Sequence, residues 1–449
     1  MRKTLRATLA AAGVLAMAAT MAACGGGSTS ASPGAATTTT PASPGATQTT
    51  GSGPGTTQST AGSSTADKPD DGTTITVWTM EDSKKFTDLM QNFTQRTGIT
   101  VKVEAIPWAN VGAKLTTAVA SGNGPDVVQV GLSNLPDFVS AGALLDLSPY
   151  LKDHPALQDD KFLPGVASDK TSPAGKVLSI PWISDVRVLF YRSDILQQAG
   201  ITTPPATWTD LFNDAKKLAQ RGNRQYGYYI PQWDQALPIE FTWQAGGDVL
   251  DPTGKVTFDT PAFKQAADFY LSFYRNKLVP TASDSDQTQG FISGASPLLI
   301  SGPYLESTIT GSAPQLNGKW NVAPLPKDKT GTSLLGGSNM GIWSKSQHVQ
   351  ADLKLLDYLS GTSAQLAWFK AADEMPSTKA ALADPTLNSD PMVKVYVQQL
   401  SDAKLLPLVP NWGKINQDAL DALNKIALQG ADEQSTLAQL NQIVAALQK

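Results

Sequence analysis

Four carboxylates, Asp82, Asp185, Asp234 and Glu374, are the residues with the most chemical scope in this chain. Two carboxyl groups at a set separation would make a glycosidase. The same groups would serve a binding cleft, where planar acceptors take the edge hydroxyls of a polyhydroxylated ligand and rings take its C–H faces. Trp233, in the loop Gln232-Trp233-Asp234, is a ring of that kind, with core packing as the alternative reading. Nothing further favours catalysis. The sequence holds no G-x-S-x-G elbow, no G-x-x-x-x-G-K-S/T loop and no H-E-x-x-H helix. The two histidines, His154 beside Pro155 and His348 beside Gln347, read as loop surface. The reading is a binding protein and not an enzyme, with no cofactor and no metal.

Composition narrows the ligand. The 449 residues carry 35 basic and 39 acidic side chains, a formal −4, and only 16% are charged, against a usual ~25%. An acidic chain without a basic cluster beyond its N-terminus is a poor partner for nucleic acid, whose backbone demands Lys and Arg. A single cysteine excludes an internal disulfide framework and a cysteine-based zinc site. The charge deficit is local. Residues 25–66 contain no charged residue and none of Val, Ile, Leu, Met, Phe, Trp or Tyr, while all ten Trp lie from Trp78 to Trp412.

The N-terminus reads as an address. Arg2, Lys3 and Arg6 precede a short apolar run from Leu9 to Met21, the layout of a secretory signal over residues 1–23. Met21-Ala22-Ala23-Cys24 resembles the bacterial lipobox, in which the cysteine after the cut carries a diacylglyceryl group; Met21 departs from the usual Leu. Cleavage would remove three basic residues, leaving 32 against 39 acidic, a net −7. Residues 24–71 are then a lipid-anchored, disordered tether, since nothing in them offsets the entropy of ordering. A flexible coil of ~45 residues reaches roughly 35–40 Å on average. The expected location is extracytoplasmic, on the outer face of the cell membrane, held through Cys24.

The body must position the candidate residues. Ile75 to Trp78 reads as a strand, and Phe86, Leu89, Met90 and Phe93 mark one face of a helix over 83–97, ended by Gly98. Ile99, Val101, Val103 and Ala105 alternate as a strand, 111–120 is helical and 126–130 is a short buried strand. This alternation is the mark of an α/β layer with a mainly parallel sheet. A second α/β series follows. A strand spans 186–191, Ser193 caps a short helix, Thr207 to Asp210 forms a capping box, and Thr260-Pro261 opens another helix. Residues 297–300, 320–323 and 340–343 read as strands, and the chain is mostly helical from Ala351. Trp208, Trp243, Trp320 and Trp368 fall on core faces, and Lys114 on a solvated one.

Several segments then carry a resemblance. They are Gly122-Asn-Gly-Pro-Asp126; Ile180-Pro-Trp-Ile-Ser-Asp185 running into Arg187 and Tyr191; Pro204-Pro205-Ala-Thr207-Trp208; Phe241 to Gly247; Ile300 to Tyr304; Ala323-Pro-Leu-Pro326; and Gly336-Gly337-Ser338-Asn339. In order and spacing, over nearly all of 73–449, the chain resembles the extracellular solute-binding proteins of bacterial ABC sugar importers, the group that includes maltose-binding protein. The resemblance implies an α/β, two-lobe periplasmic-binding-protein fold with a hinge and an interlobe ligand cleft. Lobe one would be 73–183 plus 325–340, lobe two 187–323 plus 345–449, with hinges near 181–187, 322–326 and 337–344. It implies a monomer that captures a mono- or oligosaccharide and delivers it to ABC permease subunits; a glycerol phosphodiester, polyamine or peptide is the alternative ligand. It also implies site residues: Asp82, or else a helix cap; Ser133 and Asn134, or else caps; Asp185, or else a hinge or salt-bridge role with Arg187; Arg187 itself; Gln232, Trp233 and Asp234; Tyr304 and Trp412 as rings; and Gly337 and Ser338 at the third hinge.

Overall fold

The computed structural model describes residues 72–80, 83–107, 110–167, 175–282 and 286–449. The signal, Cys24, the tether and Asp82 lie outside the described residues. The first series runs β1 (Thr74–Thr79), α1 (Ser83–Thr97), β2 (Thr100–Ala105), α2 (Val111–Ser121), β3 (Val127–Gly131), α3 (Leu135–Ser140), α4 (Pro164–Ala167) and β4 (Ile180–Val186). Next come β5 (Val188–Tyr191), α5 (Ser193–Gln198), α6 (Trp208–Ala219), α7 (Leu237–Gln244), α8 (Pro261–Arg275), α9 (Gln287–Ile292), β6 (Leu298–Ser301), α10 (Tyr304–Ser312) and β7 (Asn321–Ala323). The remainder is β8 (Ser333–Ile342), α11 (Val349–Leu359), α12 (Thr362–Ala372), α13 (Lys379–Leu382), α14 (Pro391–Leu400), β9 (Ala403–Lys404), α15 (Trp412–Gln429) and α16 (Glu433–Leu447).

Two sheets result. The first has the order β2-β1-β3-β8-β4, with β9 beside β8. Its β1, β2 and β3 are parallel, as the strand–helix alternation predicts, and β8 runs antiparallel between β3 and β4. The second sheet is antiparallel, β6-β5-β7. Helix α1 buries Phe86, Leu89, Met90 and Phe93, the expected stripe, and Gly98 closes it at φ 76°. Burying four such side chains contributes roughly 1.5–3 kcal/mol each. The capping box at Thr207 and Asp210 forms in both directions, and Thr260 caps α8 ahead of Pro261. Ser193 does not cap α5; it is the first helical residue, and Arg192 holds the cap position without a side-chain bond.

The polypeptide crosses between sheets at Arg187, the single residue separating β4 from β5. It returns between β7 and β8. The stretch 337–344 is no crossing: it is the middle and end of β8, paired with β3 and β4. Nor does 345–449 as a whole go with the second sheet. Trp368 of α12 packs on Phe86 of α1 and Trp182 of β4, ring centroids 5.9 and 5.7 Å apart, so α12 covers the first sheet. Only α15 and α16 join the second core, through Ile415, Leu423, Leu440 and Val444. That core is built on Trp208 stacked against Phe269 at 4.1 Å and on Phe241, Phe273 and Tyr228. Trp208, Trp243, Trp320 and Trp368 are all buried, as their spacing implies.

Gly337 lets β8 lie against β4. Its φ is 101°, and a Cβ there would sit 2.1 Å from the Ile183 carbonyl oxygen, where the β4 register shifts. Gly337→Ala should therefore lower unfolding stability by on the order of 2–4 kcal/mol. A denaturant midpoint equal to that of the wild type would contradict this.

Candidate functional site

Where β4 and β8 approach the first turn of α10, the surface closes around a cavity of ≈ 360 Å³. Its wall includes Gln129 of β3, Leu132 and Ser133 of the following loop, Ile183 and Asp185 of β4, and Leu334 to Ser338 of β8. Tyr304, Glu374, Leu405 and Leu406 complete it. Branched apolar side chains with a few converging polar groups make a small-molecule site.

Each polar group is held in place. Gln129 accepts from the Met80 amide at 3.0 Å and donates to the Ser338 hydroxyl at 2.8 Å, so a buried glutamine orients the serine. The Leu132 amide donates to the Gly337 carbonyl at 3.1 Å. Asp185 accepts from the Met375 amide at 3.2 Å, and Glu374 accepts from the Trp368 indole at 2.6 Å. Tyr304 is 54% exposed, and its hydroxyl accepts from Gln287 at 2.7 Å, which fixes the ring at the mouth.

Of the residues named from the sequence, Ser133, Asp185, Tyr304, Gly337 and Ser338 line this one cavity. Asn134 sits one residue off, at the start of α3, with no side-chain cap bond. Arg187 does not pair with Asp185. Its Nη1 donates to Asp234 at 2.6 Å and to Glu240 at 3.1 Å. Asp234 is 3% exposed, and its second oxygen accepts the amides of Ala236 and Leu237, capping α7. Both carboxylate oxygens of Asp234 thus have work inside the fold. Gln232 donates to the Thr281 carbonyl, and Trp233 is 61% exposed; neither lines the cavity. Trp412 is 4% exposed. It opens an amphipathic helix whose face continues through Ile415, Ala419 and Leu423, so the helical period turns its indole into the second core. The expectation of an open ring at Trp412 is not met in this structure.

His154 is not loop surface: its Nδ1 lies 2.5 Å from Asp357, and its side chain is 14% exposed. His348 is more open and pairs with Asp126 at 2.9 Å. Lys114 pairs with Glu104 at 2.6 Å and sits 4.8 Å above the Trp78 ring. The sequence reading did not single out Gln129 and Glu240. The signal available was a lone polar residue in each of two apolar runs, Val127-Val128-Gln129-Val130 and Pro238-Ile239-Glu240-Phe241.

The Arg187 cluster places one cation against two buried carboxylates. Burial pushes the Glu240 carboxyl up to about 7, helped by Asp234 and opposed by Arg187. The Arg187 guanidinium is held above its ordinary value by Asp234 and Glu240, against the effect of burial.

Comparison with known proteins places the chain. Residues 78–366 match the family model of the bacterial extracellular solute-binding proteins, and the chain belongs to that family. It is similar to the solved structure of the sugar-binding protein MalE from Xanthomonas citri, with TM-score 0.79 and 27% identity, covering 84% of this chain and 97% of that one. It is 24% identical to a diacetylchitobiose-binding protein of Streptomyces coelicolor, over 77% of this chain and 83% of the relative. It is 22% identical to a galactooligosaccharide-binding protein of Bacillus subtilis, over 84% and 90%. The chain's mixed helices and sheets match the two-lobe fold of that MalE structure. Among the described residues no helix is long and apolar enough to cross a membrane.

Two outcomes follow from the Arg187 cluster. Asp234→Ala strips a partner from a buried cation and should cost about 3–5 kcal/mol of stability, read by denaturant unfolding; a loss within error of zero would refute the pairing. A carboxyl whose folded pKa is raised from 4.5 to about 7 binds its proton more tightly in the folded state. Its contribution is present below pH 4.5 and is lost as pH rises towards 7. Glu240→Gln should accordingly flatten the decline of stability across that window.

Proposed function

We propose that this chain is a lipid-anchored receptor that captures a mono- or oligosaccharide between its two lobes and hands it to the permease of an ABC importer. The observation that carries the reading is the cavity at the crossing of β4 and β8. There an exposed ring, Tyr304, faces converging hydroxyl, amide and carboxylate groups from Ser133, Ser338, Gln129, Asp185 and Glu374. A sugar offers edges that hydrogen-bond and faces that stack, and this set answers both. The relatives named for diacetylchitobiose and galactooligosaccharide support a carbohydrate ligand. In this reading Asp185 and Ser338 accept from and donate to ring hydroxyls, Tyr304 is the platform, and Gly337 brings the β8 backbone close to the ligand.

Trp233, which lies off this cavity, would supply a second ring in the closed form. It stands exposed on the loop whose next residue, Asp234, is pinned to Arg187. Arg187 and Asp234 act on the hinge and not on the sugar. Capture works by population shift: a ligand touching both lobes favours the closed form by its extra contacts there. About four hydrogen bonds near ~1 kcal/mol each and two stacked rings, less the cost of association, place affinity on the order of micromolar. The carboxylates position ligand and catalyse nothing. Cys24 would carry the lipid, and the segment 24–71 would link it to the body.

Tryptophan fluorescence, titrated with mono-, di- and trisaccharides, should show saturable binding of one or a few. Asp185→Ala and Tyr304→Ala should each weaken that binding about tenfold or more, a difference of about 1.4 kcal/mol. A flat response to every sugar, matched by a flat thermal-shift screen, would remove the carbohydrate assignment.

A further inference from the structure

Strand β3 reads Val-Val-Gln-Val-Gly, and every residue of it is buried. A glutamine is costly there unless both ends of its amide are used. Both are used. The Met80 backbone amide donates to Gln129 Oε1 at 3.0 Å, and Gln129 Nε2 donates to the Ser338 hydroxyl at 2.8 Å. The first bond settles the sense of the second. A backbone N–H can only donate, so the amide oxygen faces Met80 and the NH2 faces Ser338.

The consequence falls on Ser338. A hydroxyl gives one proton and receives through its lone pairs. Here it receives from Gln129, and among the described residues its side chain makes no other hydrogen bond. Its proton is therefore left over. Ser338 is a buried residue in the wall of the cleft cavity, with β3 on one side and β4 on the other. Asp185 opens onto the same cavity from β4, opposite Gly336, two places along β8 from Ser338. No Lys, Arg or His is among the lining residues, and Asp185 and Glu374 when ionised can only accept. The floor of the cleft thus needs a donor for the lone pairs of a bound molecule, and the Ser338 proton fills that need.

We propose that Gln129 is a positioning residue: by donating to Ser338 it fixes that hydroxyl as a donor into the cleft, so that the receptor requires a lone pair from the sugar at Ser338 and a hydroxyl proton from it at Asp185. The inference rests on the carbohydrate reading of the cleft. A glutamine that merely tied β1 to β8 would hold the sheet together and leave the polarity of the cleft alone.

Calorimetry on the purified protein tests this with glucose, maltose, maltotriose, N,N′-diacetylchitobiose and galactobiose, and the tightest binder among them is carried to the variants. Gln129→Glu keeps the shape and the bond from Met80, but an ionised Glu cannot donate. Ser338 would then turn its proton towards position 129 and show the sugar a lone pair instead. Affinity should fall about tenfold at neutral pH. A protonated Glu donates again, so the gap to the wild type should narrow as the pH is lowered. In a Ser338→Ala background the same substitution should cost nothing further, because the group it acts through is gone. Gln129→Met serves where a buried glutamate prevents folding. It neither donates nor accepts, leaves Ser338 free to turn, and should cost about threefold alone and nothing beside Ser338→Ala. Wild-type affinity in both Gln129 variants, or losses that add in full to that of Ser338→Ala, overturn the proposal and leave the sugar cleft standing. A Gln129→Glu loss that does not narrow in acid is damage to the sheet and overturns it too. If none of the sugars binds the wild type, the carbohydrate reading falls and the proposal falls with it.

Discussion

One guanidinium fixes how the two sheets meet. Arg187 is the only residue between β4 of the first sheet and β5 of the second. Its amide donates to the Ser333 hydroxyl at 3.0 Å, and its carbonyl accepts from the same hydroxyl at 2.9 Å. Its side chain reaches Asp234 and Glu240, and Glu240 accepts the Leu334 amide at 2.7 Å. The crossover, the cap of α7 and the first residues of β8 are thereby joined through one buried cation. Asp185, Gly336 and Gly337 lie within a few residues of that knot, so the cleft inherits its geometry. A buried cation with two carboxylates is tolerable only while all partners are present.

The cleft is acidic by elimination as well as by placement. Arg187 lies near Tyr304 but is committed to Asp234 and Glu240. Its guanidinium is engaged within the fold. What remains at the mouth are carboxylates, hydroxyls and amides on an apolar floor, a surface that disfavours phosphate and other anions.

Much of this was legible in the sequence where the cause is local. The parallel β1, β2 and β3 follow from alternation and from the stripe of Phe86, Leu89, Met90 and Phe93. Thr207 and Thr260 announce their helices by chemistry confined to one turn. Pairings across the chain were not legible. The match of β8 to β3 joins residues some two hundred positions apart, and no periodicity encodes it; the hinge at 337–344 comes from the resemblance alone. The resemblance likewise put all of 345–449 with lobe two, and an amphipathic helix such as α12 shows that it has a buried face and not what covers it. Trp412 entered as a ring through the resemblance alone, while the helix beginning at that residue dictates its burial. Gln129 and Glu240 looked like polar interruptions of apolar runs, and only the tertiary structure shows what each one holds.

The route of the chain has a consequence for how the molecule comes together. The second core holds Leu211, Phe263 and Tyr270 from the middle of the sequence, yet α15 and α16 supply Ile415, Leu423, Leu440 and Val444 to it. The first core waits in turn for β8 and α12. The first half cannot close until β8 and α12 have emerged, nor the second until α15 and α16 have. A chain made from its N-terminus therefore keeps apolar surface of the second core uncovered until α15 and α16 have been made. Loss of α15 and α16 would strike the half whose strands were made long before.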